Sequence, residues 1–284
     1  MSAFFCFGLG YSAGFLARAL AGEGWRIAGT SRDGAAGADG FAIHRFCRGA
    51  PLADAAAALS GTTHLLVSVP PDAAGDPVLA EHGGDVVALG GLRWLGYLST
   101  TGVYGDRGGG WVDESSALRP SGERGWRRLA AEAGWLELHR RHGLPVHVFR
   151  LAGIYGPGRN ALATVRQGGA QRIDKPGQVF SRIHVADVVQ ALRASMARPD
   201  PGAVYNVCDD DPAPPEAVIA HACRLLGREP PPLVPFERAD LSPMARSFYD
   251  DNKRVANRRL KAALGVRLRY PSYRDGLAAL LQEE

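Results

Sequence analysis

Ala3-Phe4-Phe5-Cys6-Phe7-Gly8-Leu9-Gly10-Tyr11-Ser12-Ala13-Gly14 stands at the head of the chain, and this stretch decides the fold. The apolar run Ala3 to Phe7 predicts a short strand, the glycines a tight turn, and Ser12 to Ala21 a helix, with a second strand following at Trp25 to Thr30. The spacing is Gly8-x-Gly10-x-x-Ala13, and each small residue has a physical task. Gly8 permits the turn. Gly10 lets backbone N–H groups come close to a bound anion, and Ala13 lets the helix pack closely with its positive N-terminus facing that anion. Gly8, Gly10, Tyr11, Ser12 and Ala13 are therefore the expected contacts of a dinucleotide pyrophosphate.

Working outward, further strands are predicted at Phe41 to Phe46, His64 to Val69, Gly96 to Ser99 and Val146 to Leu151, with Ala- and Leu-rich helical segments between most of them. Alternation of this kind predicts an α/β fold, a doubly wound parallel sheet of Rossmann type with helices on both faces. Beyond about residue 155 the texture changes to Pro/Gly punctuation at Gly156 to Gly158, Pro199 to Gly202, Asp211 to Pro215 and Pro230 to Pro232. Helices are expected there at Pro214 to Leu226 and Asn252 to Leu264. The expected organisation is a nucleotide-binding domain over 1–155 and a smaller C-terminal substrate lobe of mixed α/β structure over 156–284, with some return of chain to the sheet.

The bulk properties narrow the function classes. At 284 residues the chain is long enough to bury a sizeable core without disulfides or metals. Its 33 basic and 29 acidic side chains are interleaved and form no long basic stripe, so no nucleic-acid partner is expected. The densest basic cluster, Lys253, Arg254, Arg258, Arg259 and Lys261, reads as a solvated helix face. The four cysteines show no Cys-x-x-Cys pairing and no export leader precedes them, which predicts a cytoplasmic protein with reduced thiols. No apolar run approaches the roughly 20 residues of a membrane helix. No metal site is expected, the partner is a small-molecule substrate, and a homodimer is left open.

An adenine-ribose selector belongs at the end of the second strand, where an acidic residue accepts hydrogen bonds from a free 2′-hydroxyl. Here that stretch reads Gly29-Thr30-Ser31-Arg32. A guanidinium and hydroxyls suit a 2′-phosphate, so Ser31 and Arg32 predict NADP as cofactor. NAD is the alternative, with Arg32 an exposed loop residue and Asp33 the selector.

Further marks are Leu98-Ser99-Thr100-Thr101-Gly102-Val103-Tyr104-Gly105-Asp106, Arg150-Leu151-Ala152-Gly153-Ile154-Tyr155-Gly156-Pro157-Gly158-Arg159, Ile183-His184-Val185-Ala186-Asp187-Val188 and Tyr205-Asn206-Val207. With the glycine turn they make the chain resemble the extended short-chain dehydrogenase/reductase superfamily, the NAD-dependent epimerase/dehydratase group, and more closely its atypical members. The resemblance covers nearly the whole chain. It implies that the strand ending in Leu98 to Gly105 lies beneath the nicotinamide and supplies a hydroxyl to the reacting oxygen. Counted back from Tyr104 that residue is Thr100, with Ser99 and Thr101 offering the same chemistry beside it. It also implies backbone contacts to the cofactor from Ser68, Val69 and Pro70, although Pro70-Pro71 removes N–H donors. Tyr155 and Arg159 are implied to face substrate, where arginine suits a phosphate or carboxylate.

The resemblance breaks at the family's Tyr-x-x-x-Lys pair. The matching stretch is Pro120-Ser121-Gly122-Glu123-Arg124-Gly125-Trp126-Arg127-Arg128, which places Arg124 at the tyrosine and Arg128 at the lysine. Arginine stays protonated and cannot serve as a general acid or base near neutrality. Tyr104 or Tyr155 could supply a phenol, Glu123 or Asp113 a carboxyl, or the protein could bind cofactor without turnover, with Arg128 holding ribose hydroxyls. His184 and Asp187, three residues apart, are expected to be structural, because no third ligand lies at metal spacing. The Cys208-Asp209-Asp210-Asp211 cluster lacks the spacing of a calcium loop and reads as a turn or cap. The expected function is an NAD(P)-dependent oxidoreductase or epimerase-like protein acting on a polar small molecule such as a sugar or nucleotide-sugar derivative. The alternative is a non-catalytic NADP-binding sensor or scaffold. A Rossmann-like methyltransferase would share the glycine turn but would leave the later motifs as coincidences.

Overall fold

The computed structural model describes residues 2–35 and 39–283. The strands are β1 (Ala3–Phe7), β2 (Arg26–Ser31), β3 (Ala42–Arg45), β4 (His64–Val67), β5 (Trp94–Thr100), β6 (Trp111–Val112), β7 (Val146–Leu151), β8 (Gly153–Tyr155), β9 (Arg172–Asp174), β10 (Arg182–His184), β11 (Val204–Val207), β12 (Leu233–Pro235) and β13 (Arg254–Val255). Between them lie helices α1 (Tyr11–Ala21), α2 (Ala55–Leu59), α3 (Pro77–Val87), α4 (Glu123–His142), α5 (Ala161–Arg166), α6 (Val185–Ala197), α7 (Pro215–Leu225), α8 (Pro243–Ser247), α9 (Arg258–Leu264) and α10 (Tyr273–Glu283).

The main sheet has seven strands in the order β11-β7-β5-β4-β1-β2-β3. From β3 to β5 they run parallel, with Cys6 opposite both Gly29 and Leu66. This is the Rossmann-type order expected from the alternating sequence pattern. Strand order reverses at β1, so the turn after Phe7 lies at the switch point where open α/β sheets bind ligands. β1, β4 and β7 are buried along their whole length, which explains why β1 reads as an unbroken apolar run and not as an alternating one.

Two compact units divide the chain, and the division is not a single cut. One holds Met1–Val103, Gly122–Arg150 and Val189–Tyr205, the other Tyr104–Ser121, Leu151–Val188 and Asn206–Glu284. In the first, Phe5, Phe7, Leu65, Val67, Tyr97, Trp135 and Val148 form a continuous core, each such side chain contributing roughly 1.5–3 kcal/mol of burial. In the second, Tyr155, Leu162 and Val165 pack with Val218, Tyr273 and Leu277 from α7 and α10.

One helix prediction is corrected. Asn252 to Leu264 is helical only over α9. Its first part is β13, where Arg254 pairs with Trp111 of β6. Asn252 anchors the crossing, since its carbonyl accepts from Arg107 N and Gly109 N at 2.9 Å each. Lys253 is buried and paired with Asp251 at 2.8 Å, so the basic cluster is not one solvated helix face. The four cysteines are free thiols, and among the described residues no helix is long and apolar enough to cross a membrane.

Candidate cofactor and active site

The glycine turn is built as its spacing demands. Gly8 sits at φ +85°, and a β-carbon there would lie 2.9 Å from Val69 Cγ2 and 3.1 Å from Val69 N. Only glycine satisfies both conditions. Thr30 underpins the turn from β2: its Oγ1 accepts from Gly8 N and its carbonyl from Leu9 N, both at 2.8 Å. Ser68, at the end of β4, donates its hydroxyl to Gly8 O. Ser68 thereby braces the turn, with Val69 against it. At Gly10, in contrast, a β-carbon would meet only Gly8 O, at 4.0 Å. It caps α1 without a side-chain hydrogen bond and no acidic residue lies in the first helical turn. The dipole end of α1 is therefore not neutralised by the helix itself, an arrangement suited to a pyrophosphate. Ser12 and Ala13 are buried and seat α1 on the sheet.

Beside this turn lies a cavity of about 320 Å³ lined by Gly10, Tyr11, Gly14, Phe15, Arg18 and Ser31 among others. Ser31 donates to Asp33 Oδ1 at 2.8 Å and accepts from Gly34 N at 3.0 Å. Asp33 also accepts from Ala35 N, and these hydrogen bonds hold its exposed carboxyl below the ordinary carboxylate range. Arg32 is exposed and lies outside the cavity lining. An adenosine half fits this cradle: an open glycine, an uncapped helix end and a hydroxyl at the end of β2.

At the end of β5, side-chain alternation puts Tyr97 and Ser99 on one face. Ser99 donates to Glu132 Oε1 of α4, and Glu132 is held by Arg150 through Nη2 to Oε2 at 2.8 Å and Nε to both oxygens at 3.2 Å. All three are buried, with Glu132 at 2% and Arg150 at 4% exposure. The Ser99 hydroxyl hydrogen is thus committed to Glu132, which Arg150 holds in place. Arg128, one helical turn before Glu132, donates to Leu98 O at 2.6 Å and to Tyr97 Oη at 3.4 Å, and its guanidinium lies 5.7 Å above the Tyr97 ring. Arg128 thus lies against the strand end. Arg124 is exposed, and Glu123 pairs with Arg127 at 2.7 Å. Half-buried Thr100 accepts from Gly102 N at 3.1 Å, which leaves its own hydroxyl hydrogen for another acceptor. Sequence spacing missed Glu132, although its place four residues after Arg128 put it on the same helix face.

In the second unit, Tyr104 is fully buried and donates to Asn206 Oδ1 at 2.7 Å. Asn206 N in turn donates to Glu114 at 2.7 Å, so Tyr104 is tied to β11 and is placed as a clamp for its loop. Tyr155 is buried against α10, its hydroxyl donating to Ser272 O at 3.3 Å, and burial raises its phenol pKa. Arg159 closes a turn with Gly156 and is exposed. Asp113 accepts from Ser115 and Ser116, which lowers its pKa. His184 Nδ1 accepts from Ala186 N at 3.2 Å, while Asp187 accepts from Arg269 N at 2.6 Å and Tyr270 N at 3.0 Å. The two hold different segments, and no group of three or more metal-ligating side chains occurs among the described residues.

The sheet order and glycine turn define a protein of Rossmann-type fold. Residues 85–208 match the model of the NAD dependent epimerase/dehydratase family. The chain is 53% identical to a functionally unknown conserved protein from Silicibacter pomeroyi DSS, whose solved structure superposes with a TM-score of 0.89 over 100% of this chain and 99% of that one. It is 29% identical over 250 residues to protein YeeZ of Escherichia coli (strain K12), covering 79% of this chain and 84% of YeeZ. MoeE5, solved in complex with UDP-glucuronic acid and NAD, shares the fold at 21% identity and TM-score 0.79, over 99% of this chain and 98% of that one. The family match thus spans 124 of the 284 residues, from the end of α3 to just past β11.

Proposed function

We propose that this protein is an NADP(H)-dependent oxidoreductase acting on a polar, oxygen-bearing small molecule, with a sugar or nucleotide-sugar derivative as the substrate class. The observation that carries this reading is the Gly8–Gly10 turn at the end of α1, which no side chain caps, beside a cavity of about 320 Å³. The substrate class is supported by MoeE5, which shares the fold and was solved with UDP-glucuronic acid and NAD. NADP is favoured over NAD because the carboxylate nearest the end of β2, Asp33, is engaged by Ser31 and Ala35 N, and Arg32 adds positive charge there. Gly8, Gly10, Tyr11, Ser12 and Ala13 would hold the pyrophosphate, and Ser31 the adenosine ribose.

A bound nicotinamide supplies or takes up hydride. Thr100 donates its hydroxyl hydrogen to the substrate oxygen, since its lone pairs already accept from Gly102 N and the Ser99 proton is committed to Glu132. Arg128 stands at the family's lysine position as a fixed positive charge that stabilises negative charge developing on that oxygen. With arginine at both positions of the family's pair, the proton comes from solvent and not from a tyrosine.

The anchoring of Arg128 to Leu98 O and Tyr97 also favours a second reading, a sensor that binds cofactor without turnover. One experiment tests both. Purified protein is titrated with NADPH and NADH by fluorescence and thermal shift, with Arg32→Ala alongside, and NADPH oxidation is then followed with keto-sugar and nucleotide-sugar substrates. Tighter binding of NADPH, weakened in Arg32→Ala, with turnover on at least one substrate is the expected result. Binding without turnover selects the sensor, and no stabilisation by either cofactor overturns the cofactor reading.

A further inference from the structure

We infer that Arg18, on the last turn of α1, recognises the adenosine 2′-phosphate of NADP(H) and sets the cofactor preference. The inference rests on the cofactor reading above and names the residue that carries it. Arg18 and Ser31 line the same cavity as Gly10 and Gly14, whereas Arg32 does not. Arg18 lies over Gly14, one helical turn before it. Its guanidinium folds back along the helix toward the turn, and a methyl group at residue 14 would already sit 3.6 Å from one terminal nitrogen and 3.9 Å from the other. The guanidinium is also set above the Phe15 ring, 4.7 Å from its centre, so its orientation is fixed by the helix that bears it.

What Arg18 holds in this structure is Asp39, with Nη1 to Oδ2 at 3.0 Å and side-chain exposures of 47% and 35%. A pair so open to water is weak and readily exchanged. A phosphate dianion offers the guanidinium fork more charge and more acceptor oxygens than one carboxylate. Asp39 therefore acts as a placeholder that the 2′-phosphate displaces, while the Ser31 hydroxyl meets the same group from β2. NADH, with a plain 2′-hydroxyl, cannot displace the carboxylate from Arg18 and gains nothing from it.

The test is the dissociation constant of NADPH and of NADH for the wild type, Arg18→Ala, Arg18→Lys and Asp39→Asn. Losing the charge-assisted bonds predicts NADPH binding weakened roughly 10- to 100-fold in Arg18→Ala, with NADH unchanged and partial recovery in Arg18→Lys. Asp39→Asn removes the competitor and tightens NADPH. Equal losses for the two cofactors in Arg18→Ala would mean that Arg18 merely holds the loop, and would overturn the inference, as would unchanged NADPH affinity. A wild type that prefers NADPH together with an indifferent Arg18→Ala refutes this inference alone. A wild type that binds neither cofactor, or prefers NADH, refutes the cofactor reading and this inference with it.

Discussion

Ser99 and Thr100 are adjacent hydroxyls with opposite availability. Period-2 alternation turns Ser99 toward α4, where Glu132 takes its proton, and leaves Thr100 with a hydrogen to donate. Thr100→Val keeps the shape and removes the donor. It should lower kcat by about 10²-fold while leaving the NADPH dissociation constant unchanged, as steady-state kinetics and fluorescence titration on the same preparation would show. A loss confined to cofactor affinity would instead place Thr100 in binding. The sequence identified Thr100 by counting from Tyr104 but could not separate it from Ser99, because the separation lies in a contact between residues 33 positions apart. Arg150 was visible only as a residue near a strand end. Its pairing with Glu132 is a tertiary fact, and a buried ion pair of this kind is strongly destabilised when one partner is removed.

The strand-turn-helix unit of β1 and α1 is the element most fully legible in the sequence, since its geometry follows from local rules: an apolar run, a residue needing positive φ, and a small residue for packing. Gly8→Ala tests that element. The φ of +85° and the 2.9 Å approach to Val69 predict a destabilisation of about 1–3 kcal/mol in urea unfolding and loss of the NADPH-induced thermal shift. An alanine variant that bound NADPH normally would show that the turn is not the phosphate cradle. β13 was illegible for the converse reason. Asn252 to Val255 has the composition of a helix start, but Asn252 bonds to Arg107 N, Gly109 N, Val179 N and Gly177 O, and those long-range bonds override a weak local preference. Arg18 was likewise passed over, because its pairing with Asp39 joins residues 21 positions apart.

Across the whole molecule, burial of titratable groups sets the pH dependence of stability. His147 accepts from Asp200 N at 2.9 Å and lies near Leu95 O, and burial above all lowers its pKa from 6.5 to about 4. Burial does the same to His64 and His184. Between pH 6.5 and about 4 the unfolded chain binds a proton at each that the folded chain refuses, so these groups lose stability as pH falls through that window. Asp209 has the opposite sign: burial raises its pKa from 3.8 to about 8, the folded state keeps the proton, and stability is lost as pH rises toward 8. In urea titrations, wild type relative to His147→Gln should gain up to about 1.4 kcal/mol per pH unit between pH 4 and 6.5. Relative to Asp209→Asn it should lose stability at a similar rate over the window up to about pH 8. Parallel curves in both comparisons would mean that these groups titrate normally in the folded protein.

By itself the sequence determined the sheet-and-helix class and the glycine turn between β1 and α1, because each depends on residues a few positions apart that obey local backbone and packing rules. Only the tertiary structure decided which groups meet. It joined Ser99 and Arg150 to Glu132, tied Tyr104 to Asn206, made a strand of Arg254 and Val255, and lined one cavity with Arg18 and Ser31. Those pairings depend on burial and on the closure of long loops, which no local pattern encodes.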